Sequence, residues 1–272
     1  MNIESVIQYY PSAVTMQKAT PDFLIYCDDL TKHLSDRTDN KFDLNATGFS
    51  YVSLLDQLIE SYPTICRDLD VCFLVYDTPD FDPIYSDPLT YLKDRYQLTA
   101  ECFDVIDQGR LCVVNALHLL LLFSQRKKYQ RAIMIGLEQN TLPVRAHHQI
   151  ATPQQGGVAA LMLSLHPSAL PLLAANTFST LQEALRFLKN FSLPADTHYF
   201  VASEELRPYD QFLLLPFNVV FHNQKPGVLP VFSLIEQCHA NTQKRLKKCC
   251  VVLIEGKAFE EWGVVVLGKE EY

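Results

Sequence analysis

The sequence predicts an α/β protein in which helices cover a mixed sheet. Three observations carry this. Strand-like and helix-like segments alternate along the chain. Several strand-like segments are continuous apolar runs, as in strands covered on both faces. Hydrophobic residues make up 48% of the 272, enough for a sizeable core in one large domain or two closely packed halves. No low-complexity tract, Gly/Ser linker or short-period repeat divides the chain.

The elements follow in order. "IESVIQYY" reads as a first strand ended by Pro11. "YVSLLDQLIESY" carries Val52, Leu54, Leu55, Leu58 and Ile59 at helical spacing with a polar opposite face. "DVCFLVYDT" is a buried strand bounded by Asp70 and Asp77. "DPLTYLKDRY" is a short helix, and "ECFDVID" is a strand. From Leu111 to about Gln125 the chain is apolar on nearly every side, which predicts a central helix rather than a surface one. "RAIMIGLE" and "VAALMLSL" are further buried strands. After Pro167 the pattern is more ragged: helix at "TLQEALRFLKNF", strand at "HYFVAS", helix near "VLPVFSLIEQCHANTQKRL". "CCVVLIE" and "WGVVVLG" then form a closing hairpin across "GKAFEE".

Composition excludes several function classes. A net charge of −8 argues against a nucleic-acid partner, since phosphate binding needs clustered Lys and Arg. The two basic clusters, Arg126 to Lys128 and Lys244 to Lys248, fall where helices should end and complement the helix dipole. The eight cysteines include no CxxC pair, so buried free thiols in a reducing cytoplasm fit better than disulfides or zinc. His147-His148 has no Cys or carboxylate at ligand spacing and reads as a polar loop; no metal and no cofactor is expected. The N-terminus lacks the features of a signal peptide, and the longest apolar run, near Val113 to Phe123, is too short to cross a bilayer. A soluble, cytoplasmic protein is expected.

"CFDVIDQGRLCVVNALHLLLLF" raises the question of chemistry. A strand running through an acidic turn and a glycine into a buried helix is where many enzymes hold a nucleophile, and Cys112 stands just beyond the turn. Several stretches resemble the ketoacyl synthase III group of condensing enzymes. "IESVIQYYPSAV" is similar to their opening strand and turn, and "DLDVCFLVYDTPD" to a strand ending in a "TPD"-like loop. "FDV" at Phe103 to Val105 is similar to the strand before the nucleophile. "YQRAIMIGLEQ" followed by "QQGGVAALML" is similar to a strand and the glycine-rich strand after it. "HN" at His222-Asn223 and the Trp262-Gly263 pair of the last hairpin complete the order.

This resemblance implies a thiolase-like fold of two pseudo-duplicated halves, residues 1–165 and a shortened 166–272, in layers αβαβα. It also implies an acyl-group condensation run by a cysteine, a histidine and an asparagine. Aligned on "FDV", those three positions fall on Gly109, Ser203 and Asn223, so no catalytic residues are expected. Cys112 is the fallback nucleophile, about one helical turn further in. Asn223 is either a remnant oxyanion donor or a turn residue. In related enzymes the loop around Ile84 or Tyr85 reaches across a dimer to the partner's acyl pocket; an ordinary Asp/Pro turn is the alternative. Asn115 and His118 share one stripe of the central helix and either hydrogen-bond across a subunit interface or are satisfied core groups.

The resemblance therefore implies a non-catalytic chain similar to the short, nucleophile-lacking (PqsB-type) member of alkylquinolone-forming heterodimers. Its expected partner is a catalytic ketoacyl synthase III-like subunit carrying Cys, His and Asn, acting on acyl-CoA or acyl carrier protein in specialised-metabolite synthesis. Two other readings stay open: an independent acyltransferase using Cys112, and a stand-alone protein that binds an acyl ligand.

Overall fold

The computed structural model describes residues 1–11, 25, 49–77, 82, 87–126, 129–139, 156–166, 170–191, 193–194, 197–203, 219–223, 227–243, 249–256 and 261–268. In chain order these form β1 (Asn2–Tyr9), α1 (Tyr51–Ser61), β2 (Val71–Tyr76), α2 (Pro88–Arg95), β3 (Glu101–Ile106), α3 (Leu111–Gln125), β4 (Arg131–Glu138) and β5 (Gly157–Ser164). Then come β6 (Leu170–Phe178), α4 (Leu181–Asn190), β7 (His198–Ser203), β8 (Val219–Asn223), α5 (Leu229–Gln243), β9 (Cys249–Glu255) and β10 (Trp262–Gly268).

The strand order is β3-β2-β4-β5-β1-β6-β10-β9-β7-β8. Read from its outer edge inward, each set of five has the same order, β3-β2-β4-β5-β1 and β8-β7-β9-β10-β6. In each set the three outermost strands are parallel and the remaining pairings antiparallel. Among the described residues the two five-stranded sheets meet through two register pairs, Asn2 with Pro171 and Ile3 with Leu170.

Side-chain alternation assigns the layers. Val71, Phe73 and Val75 of β2 and Cys250, Val252 and Ile254 of β9 enter one core together with α3 and α5. Cys72, Leu74 and Tyr76 face a second core under α1 and α2; Cys249, Val251 and Leu253 face a third under α4. The layering is α1 and α2, sheet, α3 and α5, sheet, α4. This is the αβαβα arrangement expected, and it explains why the first turns of α3 are apolar on nearly every side: both sheets cover them. Among the described residues no helix is long and apolar enough to cross a membrane.

The outer helices start at side-chain caps. Ser50 accepts from Ser53 N at 3.2 Å, Asp87 from Leu89 N at 3.1 Å and Thr180 from Glu183 N at 3.2 Å. α3 and α5 end at Gln125 and Gln243, just before the two basic clusters. The sequence pattern misses β6. Its Leu170–Phe178 run is buried at Leu170, Leu172, Ala174 and Ala175 but half-buried or exposed elsewhere, with Asn176 and Thr177 near its end, and α3 packs against it.

Candidate functional site

The β3–α3 connection is a tight elbow. Asp107 and Gly109 both sit in the left-handed region, at φ 62° and 57°, and α3 begins at Leu111 with Arg110 as an N-cap that makes no side-chain capping bond. Only Gly109 takes such a φ without a steric cost. Its amide donates to Asp77 Oδ1 at 2.7 Å, which ties the elbow to the end of β2.

The amides around this turn are engaged internally. Leu111 N donates to Gln108 O at 3.1 Å, Cys112 N to Gly109 O at 3.3 Å and Val113 N to Arg110 O at 3.3 Å. These are tight i to i−3 bonds that satisfy the first donors of the helix. In an acyl-transfer site such donors face the reacting oxygen; here they face carbonyls of their own turn. The expected glycine thus stands at the elbow with no side chain and no free amide.

Cys112 departs from the expectation in depth. It is the second residue of α3, in its first turn, because the left-handed Gly109 delays the helix start. The thiol is nonetheless fully buried and donates to Tyr76 O at 3.6 Å, under the sheet rather than toward a cleft. Burial pushes it up to about 12, with Asp77 and Asp107 adding to the rise and backbone hydrogen bonds opposing it. Such a thiol is unreactive at neutral pH.

The second half contributes the matching connection. Ser203 and Asn223 are register partners at the C-terminal ends of β7 and β8, so the topology brings these two family positions together. From β8 the chain turns through Gly227, at φ 126°, into α5. Ile84, Tyr85, His147 and His148 lie outside the described residues. Among the described residues no group of three or more His, Cys, Asp or Glu side chains is placed to hold a metal ion.

Two residues between the elbow and α5 were not flagged by the sequence pattern: Arg110 and Glu138. Glu138 ends β4 and is buried, and its Oε1 accepts from Leu229 N at 2.7 Å at the start of α5. A side chain at Gly227 would run into that carboxylate oxygen. Burial pushes Glu138 up to about 7, while the Leu229 and Val228 amides and Arg110 hold it down and Asp77 adds to the rise. Arg110 is itself buried. A carboxylate closing an otherwise apolar strand, "RAIMIGLE", was the available signal for Glu138. Arg110 had none, because a charged residue in a Gly-containing turn is ordinarily solvated.

Beside the elbow lies a cleft of about 310 Å³ lined by Gln108, Leu111, Asn115, Thr177, Phe178, Ser179 and Glu261. The Asn115 amide donates to Gln108 Oε1, and His118 Nδ1 lies 2.7 Å from Ala175 O on β6. Both stripe residues thus have partners within their own chain.

No protein-family model matches the sequence, and no curated protein matches it. Solved structures do. The tetronic acid condensing enzyme AbyA1 is 13% identical, with 99% of this chain and 100% of that chain covered and a TM-score of 0.64. Cerulenin-bound OleA of Xanthomonas campestris is 12% identical, with 98% of each chain covered and a TM-score of 0.61. Acetamide-bound OleA of the same organism is 12% identical, again with 98% of each covered, at a TM-score of 0.59. The chain has the thiolase-like fold of these condensing enzymes.

Proposed function

We propose that this chain is a non-catalytic subunit of an acyl-condensing complex, paired with a ketoacyl synthase III-like subunit that carries the Cys, His and Asn. The observation that carries the reading is Gly109: the elbow is kept, but its residue has no side chain and its amide is held by Asp77. Cys112, buried and raised to about 12, offers no substitute thiolate. The condensing enzymes that share the fold support an acyl substrate class for the complex.

The partner sits along the open edge of β3, next to the exposed side of α3. β3 stands at the end of the strand order, an edge position. Ile106 and Leu122 are among the exposed large apolar residues, with Phe103 and Phe123 partly buried beside the core. The acyl donor, acyl-CoA or acyl carrier protein, is loaded by the partner, and the condensation belongs to specialised-metabolite synthesis, as in the alkylquinolone-forming pairs.

The test is co-expression with a full-length ketoacyl synthase III-like subunit, followed by size-exclusion chromatography and an acyl-CoA condensation assay. A heteromer that condenses while this chain alone forms no acyl adduct is the expected result. A covalent adduct on this chain, lost in Cys112→Ala, sinks the reading in favour of an independent acyltransferase. A monodisperse chain that captures no such subunit yet binds acyl ligands leaves the stand-alone binding protein instead.

A further inference from the structure

Cys72 and Cys102 are register partners on the parallel neighbours β2 and β3. Both belong to the outer core beneath α1 and α2, Cys72 fully buried and Cys102 only partly. Neighbouring strands lie about 4.8 Å apart, within the roughly 4.4–6.8 Å Cα separation that a disulfide spans. The Cys72 and Cys102 side chains lie within interaction distance of each other, and the Cys102 thiol donates to Ala100 O at 3.3 Å. Cys66, in the turn after α1, is a third, partly buried thiol near Cys102.

The two thiols are unequal. The side-chain interaction with Cys72 lowers Cys102 below its ordinary value; burial opposes this, Lys93 of α2 adds to the lowering, and Asp104 works against it. Cys72 is held well above its ordinary value by the same interaction and by burial. A partly exposed thiol beside a buried one is the arrangement of an attacking and a resolving cysteine.

We propose that Cys102 and Cys72 form a peroxide-reactive dithiol site, with Cys102 the attacking thiolate and Cys72 the resolving thiol. The Cys102 thiolate attacks the terminal oxygen of a hydroperoxide. The O–O bond breaks, an S–O bond forms, and the departing alkoxide or hydroxide takes a proton to leave as alcohol or water. The Cys72 sulfur then displaces hydroxide from the Cys102 sulfenic acid; the thiol proton joins it as water and the S–S bond closes. Two thiols lose two electrons and the peroxide gains them. The cross-link ties β3, the edge strand of the sheet, to β2, and its formation does not depend on a catalytic partner subunit.

The test uses the full chain, reduced, then exposed to hydrogen peroxide, alkylated and mapped by mass spectrometry without reduction. The expected product is a Cys72–Cys102 linked peptide, with Cys102 lost at least about tenfold faster than buried Cys112. In Cys72→Ser, Cys102 is expected to stop as a sulfenic acid that dimedone traps, and Cys66→Ser is expected to leave the link unchanged. Wild-type Cys102 remaining alkylatable after peroxide overturns the proposal. So does a link that pairs Cys102 with Cys66, or peroxide loss of Cys72 at the wild-type rate in Cys102→Ser. The wild-type mapping needs no variant to fold.

Discussion

Gly109 holds a left-handed φ of 57°, which costs a residue with a side chain roughly 1 kcal/mol or more. Gly109→Ala should therefore lower the unfolding free energy by about 1 kcal/mol in urea titrations. Gly109→Cys restores a thiol at the elbow, but the neighbouring amides stay engaged with Asp77 and with their own turn. It is expected to form no acyl adduct above the wild-type background when incubated with acyl-CoA and analysed by mass spectrometry. Glu138 sets a pH dependence. Its folded value, raised to about 7 from the ordinary 4.5, means the folded chain binds this proton more tightly than the unfolded chain. Its contribution is favourable below pH 4.5, is lost as pH rises from 4.5 to 7, and is flat above. The loss is on the order of 3 kcal/mol. Asp104, raised to about 6 by burial and by Asp87, slopes the same way over a lower range. Comparing wild type with Glu138→Gln at pH 5 and pH 8 isolates the carboxylate: the variant's stability should change less between the two. The glycine was legible from the "FDV" anchor because a register needs only sequence. The partners of Glu138 were not, because Leu229 N lies ninety-one residues away and only the folded topology joins them.

At the scale of elements, β3 and α3 are braced to each other by aromatic rings. Phe73 stacks on Phe103 at 5.3 Å, Phe103 lies 5.8 Å from Phe123, and Phe123 meets Tyr129 edge-on at 5.3 Å. Such pairs contribute about 0.5–1.5 kcal/mol each beyond their burial. This bracing keeps the edge strand in place while Leu122, 42% exposed, stays on the surface. Leu122→Asp should leave the melting temperature near wild type, because a surface substitution changes stability by about 0.5 kcal/mol or less. It should weaken co-purification with a catalytic partner about tenfold or more, since an unpaired charge is then buried at the interface. An unchanged yield of complex removes this face from the interface. The elements themselves were largely legible: continuous apolar runs marked β2, β4, β5, β9 and β10, and three-to-four spacing marked α1 and α4. β6 was not, since its buried and half-buried positions follow neither the alternating nor the continuous pattern.

For the whole molecule, the central core draws on both sheets. Phe73 and Met134 of the first share it with Phe200 and Val252 of the second, around α3 and α5. A fragment of residues 1–165 leaves the inner face of its sheet and one side of α3 without cover. It is expected to bind ANS and to lack a cooperative thermal transition, the behaviour of loose packing; a sharp transition would show that the halves fold independently. The duplication was expected from the family resemblance alone, because the two halves share no short-period repeat that can be read in the residues. The seam between the sheets has a consequence for chain order. Leu172 N donates to Met1 O at 3.0 Å, and Leu172 is also the register partner of Leu267, so the start of β1 and the end of β10 flank one residue. Covalent order and spatial order are therefore separable here. A circular permutant that begins at Leu170, runs through β10 and a short flexible linker, and finishes with β1 to β5 preserves every strand neighbour. The five-layered body is therefore expected to form whichever half of the chain comes first.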